Sequence, residues 1–313
     1  MVARAEEHSR GPRDPSRRRF LKLAGAAAGG VGLQAVLPAK AKAVLSSDER
    51  AERHARDPAL LIDLTRCVGC GSCVAACKLE NELEWRRGEP SLGPRAELAA
   101  SNWTVVATEA GGDGDGRTRY VKRQCLHCLE PACASACPVR ALRKEPLGPI
   151  TYDVDKCIGC RYCLMACPFG VPTFEWDRPI SSVSKCNLCF ERTSRGEATA
   201  CAAACPVKAI TFGPRGRLLE EARDRLAAEP ERYVPHVYGE SEVGGTSVLY
   251  VSDVAFSELG FDEGLPDEPL PDFTWKETRL IPSVAAGLGA ALIALYVRRQ
   301  KALLAREGNE GAR

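Results

Sequence analysis

The sequence is poor in the side chains from which most cores and active sites are built. Aromatic residues make up 6% of its 313 positions, and there are two methionines and four histidines. A core of that composition must be filled by something besides hydrocarbon. Charge of either sign is not in excess: 43 basic residues against 41 acidic ones leave a formal +2, which gives no reason to expect a nucleic-acid partner. No paired acid and base, activated nucleophile or glycine-rich nucleotide loop stands out, so the chain reads as non-catalytic. Long uncharged runs are also scarce, the main one lying near the C-terminus.

What the chain does have is 16 cysteines, in four tight groups of four. Disulfide cysteines rarely cluster in this way. Cys67, Cys70, Cys73 and Cys77 are spaced C-x2-C-x2-C-x3-C, and Cys157, Cys160, Cys163 and Cys167 repeat that spacing and run into Pro168. This is the bacterial ferredoxin pattern, in which three thiolates hold one [4Fe–4S] cubane and the fourth serves its neighbour. The second group, Cys125, Cys128, Cys133 and Cys137, and the fourth, Cys186, Cys189, Cys201 and Cys205, keep the opening C-x2-C and closing C-x3-C-P around longer gaps. Zinc also binds C-x2-C pairs, but three such close thiolates suit a cubane better than one tetrahedral ion. The iron of four [4Fe–4S] clusters is therefore the expected metal.

Three groups continue alike, as Pro138-Val139-Arg140-Ala141-Leu142, Pro168-Phe169-Gly170-Val171-Pro172 and Pro206-Val207-Lys208-Ala209-Ile210. These predict one loop, short helix and strand unit used repeatedly. Group one has Lys78 in place of proline, which predicts a closing helix running on through Leu83. Two β-rich runs, 103–108 and 117–121, flank a glycine-rich turn and predict a hairpin. The fold class is thus α+β, as tandem ferredoxin-like modules with one C-terminal transmembrane helix. Trp176, Phe169 and Phe174 are expected to shield clusters from water, His127 to sit behind the ligands or at the surface, and the charged run 215–232 to form a solvated amphipathic helix.

The ends read as address and anchor. Ser16-Arg17-Arg18-Arg19-Phe20-Leu21-Lys22, before an Ala/Gly-rich run, is similar to a twin-arginine signal peptide, with Arg17, Arg18, Phe20 and Leu21 as its recognition residues. That route carries folded cargo, which suits a protein whose clusters are built in the cytoplasm. Residues 280–297 carry no charge, follow Trp275 and precede Arg298, Arg299 and Lys301, so the C-terminus would stay cytoplasmic and the rest lie outside. The predicted segments are a signal peptide at 1–43, a four-cluster domain at 44–215, an extended tail packing on the domain or a partner at 216–274, an anchor at 275–300 and a cytoplasmic tail at 301–313.

The cysteine region resembles the four-cluster ferredoxin-like subunits of membrane oxidoreductases, such as the beta subunits of formate dehydrogenase and dimethyl sulfoxide reductase. The stretch from Tyr238-Gly239-Glu240 through Val243 to Tyr250 and on to Phe261 is similar to HybA-type subunits of quinone-linked nickel–iron hydrogenases. The resemblance implies crossed pairing: Cys67, Cys70, Cys73 and Cys205 for one cluster, Cys77, Cys186, Cys189 and Cys201 for a second, Cys125, Cys128, Cys133 and Cys167 for a third, and Cys137, Cys157, Cys160 and Cys163 for a fourth. It further implies electron transfer on the periplasmic face of the inner membrane. Hydrogenase small and large subunits, or a molybdopterin catalytic subunit such as that of formate dehydrogenase, would lie on one side, and an integral quinone-reactive subunit in the lipid bilayer on the other. A metal-stabilised scaffold without electron flow is the alternative of another class.

Overall fold

The computed structural model describes residues 47–110, 116–176 and 182–310. The signal-peptide reading at 1–43, with Arg17, Arg18, Phe20 and Leu21, lies outside the described residues, as do positions 111–115 of the glycine-rich turn. The chain divides into residues 1–50 and 51–313. Of the first unit, only the start of a helix, Ser47–Ala55, is described. All that follows concerns the second.

Its centre is strand β1, Pro58–Asp63, where proline opens the strand and its missing N–H is harmless. The next residues, Ala-Leu-Leu-Ile, are all buried, as a strand covered on both faces requires. Alternate side chains part to opposite faces. Ala59 and Leu61 pack with Leu218 and Ala222 of the helix Arg215–Ala228. Leu60 and Ile62 face the other way, into a core that holds Cys73, Cys201 and Cys205.

Going along the chain, β2 (Leu92–Gly93), β3 (Thr104–Ala110) and β4 (Thr118–Gln124) form a second sheet. β3 and β4 make the antiparallel hairpin the sequence predicts, in register from Thr104 opposite Gln124 to Ala110 opposite Thr118. Two small hairpins follow, β5 (Leu142–Lys144) with β6 (Ile150–Tyr152), and β7 (Thr173–Phe174) with β8 (Val183–Ser184). β9 (Ile210–Pro214) pairs antiparallel with β1. β10 (Val248–Val251) pairs with the other edge of β1, in parallel, Leu61 opposite Leu249. Chain from the 216–274 segment thus completes the central sheet. Tyr238, Tyr250, Phe256 and Phe261 stack beside it with ring centroids 4.9–6.5 Å apart.

The run at 215–232 is helical over Arg215–Ala228 only, and one face is buried through Leu218 and Ala222 while Arg217 and Arg223 stay outside. Beyond residue 269 come the helices Leu270–Thr278 and Leu280–Glu310. Among the described residues, Leu270–Leu303 is the one helical stretch long and apolar enough to cross a membrane, and none of it is buried.

Candidate functional site

The groups sit on loops whose local conformation recurs. In every opening C-x2-C the residue before the second cysteine is left-handed: Gly69 at φ 69°, His127 at 51°, Gly159 at 68° and Leu188 at 55°. Such a residue turns the chain back on itself and aims backbone N–H groups inward. One result is the bond from the Leu188 amide to Cys186 Sγ, 3.3 Å.

The closing turns recur as well. Proline after the fourth cysteine ends the short helices Ala132–Ser135, Tyr162–Ala166 and Ala200–Ala203, because the residue before proline is driven out of the helical region. Three residues past each fourth cysteine the chain is again left-handed, at Arg140, Gly170 and Lys208 (φ 54°, 62° and 53°). The next amide then donates to the cysteine sulfur, Ala141 to Cys137 at 3.2 Å and Ala209 to Cys205 at 3.3 Å. Group one differs, but less than its sequence suggests. Its helix, Ser72–Glu80, stops short of the predicted Leu83. Asn81 folds back to donate both its backbone and side-chain amides to Cys77 O, and Glu82 turns left-handed.

The cysteines gather across groups, not within them. One cavity is lined by Cys67, Cys70, Cys73 and Cys205. A second is lined by Cys77, Cys186, Cys189 and Cys201. A third has Cys137, Cys157, Cys160 and Cys163 on its walls. Cys128 has Cys125, Cys133 and Cys167 as its electrostatic neighbours. Cys77, four residues after Cys73 in sequence, therefore faces a different cavity. Neighbouring sets also touch: Cys125 and Cys186 share one apolar cluster, and Cys133 and Cys163 another. Cys73 and Cys201 are likewise electrostatic neighbours. The four sets form a file, with exposed cysteines, Cys70 and Cys160, in the two end sets.

Burial raises the thiols well above their ordinary 9.0, Cys77 and Cys133 to about 12 and Cys73, Cys163 and Cys189 to about 11, with crowding by other thiols adding to it. So much buried sulfur calls for a positive body to hold it as thiolate. Among the described residues, no three His, Cys, Asp or Glu side chains converge as they would on a single ion. The sets surround voids.

The walls of two voids also carry buried donors that have no hydrogen-bond partner among the described residues, Lys122 Nζ beside the first set and Gln124 Nε2 beside the second. An iron–sulfur core is positive toward the thiolates that bind it, yet core and four thiolates together are net negative and rich in sulfur acceptors, which would satisfy both donors, so the residues fit such a cluster. Sequence reasoning missed Lys122 and Gln124. The alternation Tyr120, Lys122, Gln124 along β4 was the available signal, since it puts all three on one face.

The remaining candidates divide. His127 is wholly buried and not at the surface; its Nδ1 accepts from the Ile150 amide at 3.1 Å, and burial, then Lys185 and Lys144, hold it neutral. Phe174 is buried and Phe169 packs against the apolar clusters, whereas Trp176 is 64% exposed, with its ring 5.8 Å from that of Phe174 and Arg161 over it at 4.4 Å.

Residues 66–141 and 117–215 each match a 4Fe-4S dicluster domain. A protein of Nitratidesulfovibrio vulgaris strain Hildenborough is 38% identical over 304 residues, covering 95% of this chain and 81% of that one. The hydrogenase-2 operon protein HybA of Escherichia coli O157:H7 is 34% identical over 315 residues, covering 87% of this chain and 93% of HybA. The nitrate-inducible formate dehydrogenase iron-sulfur subunit of Escherichia coli K12 is 36% identical over 248 residues, covering 76% of this chain and 82% of that subunit. With identity at this level over most of each length, the chain belongs to the family of 4Fe-4S dicluster proteins that contains HybA and the formate dehydrogenase iron–sulfur subunits.

Proposed function

We propose that this chain is an electron-transfer subunit carrying four [4Fe–4S] clusters, held by the crossed sets Cys67, Cys70, Cys73 and Cys205; Cys77, Cys186, Cys189 and Cys201; Cys125, Cys128, Cys133 and Cys167; and Cys137, Cys157, Cys160 and Cys163. The observation that carries it is the gathering of cysteines from distant groups around three separate cavities. When bound, such clusters supply reversible one-electron redox chemistry. The chain's own part is to hold them in file, keep water from the inner ones and bring the end sets to the surface near Cys70 and Cys160.

Exposed apolar side chains flank those ends, Val68 at one and Ile158, Tyr162 and Met165 at the other, which suits transient or permanent docking of redox partners. A nickel–iron hydrogenase is the favoured catalytic partner, because the alignment with HybA covers 93% of HybA's length. A formate dehydrogenase or other molybdopterin partner is the second reading, supported by the 36% identity to the formate dehydrogenase subunit. The segment 275–300 anchors the chain in the inner membrane with its basic end cytoplasmic, the ferredoxin-like part having crossed by the twin-arginine route to the periplasmic face. An integral quinone-reactive subunit would be the second redox partner there.

Iron and sulfide analysis of the purified chain tests the cluster count. About sixteen of each per chain is expected for four [4Fe–4S] clusters, and a content near half that would refute it. Mass spectrometry of the intact complex separates the two partner readings.

A further inference from the structure

Lys122 is an anomaly unless something negative lies beside it. It is 1% exposed, in the middle of β4 opposite Val106, and its backbone carbonyl is fixed by the Tyr250 hydroxyl at 3.0 Å. Among the described residues it is the one buried cationic side chain whose head group has no hydrogen-bond partner. The other buried lysines are differently placed. Lys78 Nζ donates to the carbonyls of Glu84 and Ser101, and Lys185 Nζ to those of Ile150 and Cys186. Those bonds explain them as structural struts, whereas Lys122 has none.

An isolated buried ammonium is so costly that a protein normally neutralises it. What surrounds the Lys122 head group is sulfur: Cys201, Cys73 and Cys186 are its electrostatic neighbours, with the Tyr250 hydroxyl. It lines the cavity of Cys67, Cys70, Cys73 and Cys205, and its charge also reaches Cys77 of the next set. The ammonium therefore lies between two adjacent members of the file.

We propose that Lys122 is a potential-setting residue, a fixed buried charge that raises the reduction potentials of the two clusters held by Cys67, Cys70, Cys73 and Cys205 and by Cys77, Cys186, Cys189 and Cys201. The inference rests on the cluster assignment above. A cluster with its four thiolates is net negative and gains one more negative charge on reduction. A cation in a low-dielectric wall stabilises the reduced form more than the oxidised one. The attraction falls with distance, so the two sets at the far end of the file feel little of it.

The test is an EPR-monitored redox titration of the full-length holoprotein and its Lys122→Met and Lys122→Arg variants, with iron content measured in each and signals assigned by Cys70→Ser and Cys189→Ser. Methionine keeps the unbranched stem and removes the charge. In Lys122→Met the two nearby clusters should become at least tenfold harder to reduce, about 59 mV for a one-electron couple. The other two should not move, and Lys122→Arg should stay near the wild type. Should Lys122→Met lose a nearby cluster that Lys122→Arg retains at its native potential, charge is again the cause. Full iron content with unmoved midpoints in Lys122→Met overturns the inference alone, as does a uniform shift of all four signals or equal cluster loss in both variants. A wild-type iron content too low for four clusters overturns the assignment beneath it.

Discussion

At the scale of the residue, backbone conformation explains why particular positions are glycine. Gly69 has φ +69°, and a Cβ there would lie 2.4 Å from the Tyr120 ring. Gly170 has a similar φ of +62° but open space around it. Gly170→Ala should therefore cost only the conformational term, about 1 kcal/mol. Gly69→Ala should cost more and strip iron from the site of Cys67 and Cys70, with Tyr120→Ala restoring part of the loss; denaturation curves and iron analysis read both.

A second residue-scale device ties the approach to β1 onto the hairpin β5–β6. His54 Nδ1 meets Asp57 Oδ2 at 3.1 Å and Lys144 Nζ meets the same oxygen at 3.3 Å. Burial would lower the His54 pKa, but hydrogen bonds to Asp57 and Glu130 overcome that and raise it from 6.5. Burial would raise the Asp57 pKa, but His54 and Lys144 overcome that and lower it from 3.8. The Asp57 contribution is present above pH 3.8 and lost as pH falls through its lowered value. The His54 contribution is complete below pH 6.5 and lost as pH rises through its raised value. Denaturation of the holoprotein should show stability falling as pH rises above 6.5 through the raised His54 value, and His54→Gln should flatten that fall.

At the scale of the element, the parts legible in the sequence are those with local rules. Cysteine spacing and the following proline set the ligand loops, and the β3–β4 hairpin follows from two β-rich runs about a glycine-rich turn. β10 was not legible. Val248-Leu249-Tyr250-Val251 is a continuous apolar run buried on both faces, and its partner β1 lies far away in sequence. The crossed gathering of cysteines is likewise a long-range property, which spacing alone leaves open and only the resemblance supplied. The early stop of the Ser72–Glu80 helix was hidden because Asn81 acts through its own side chain. These differences set expectations for truncation. A chain ending before Leu280 should leave a soluble, cluster-loaded protein, since none of residues 280–303 in the helix removed is buried. A chain ending before Val248 uncovers an edge of β1 and should aggregate. Alkaline-wash partitioning and soluble yield distinguish the two.

At the scale of the whole molecule, the fold is a holder whose interior is completed by cofactor, which is why so few aromatic residues suffice. If export follows the twin-arginine reading, changing Arg17 and Arg18 together to lysine should leave a cluster-loaded protein in the cytoplasm; cell fractionation showing normal export would refute that reading. In the crossed assignment proposed for the clusters, each set of four draws its members from two distant groups, so that clusters stand in file and not one per group. Cys77 decides it, because it stands only four residues after Cys73 in the chain yet lines the cavity of Cys186, Cys189 and Cys201. The measurement is the EPR spectrum of reduced Cys77→Ser beside those of Cys189→Ser and Cys70→Ser. With crossed sets, Cys77→Ser should disturb the signal that Cys189→Ser disturbs and spare the one lost in Cys70→Ser. The reverse pattern, with Cys77→Ser matching Cys70→Ser, would contradict it.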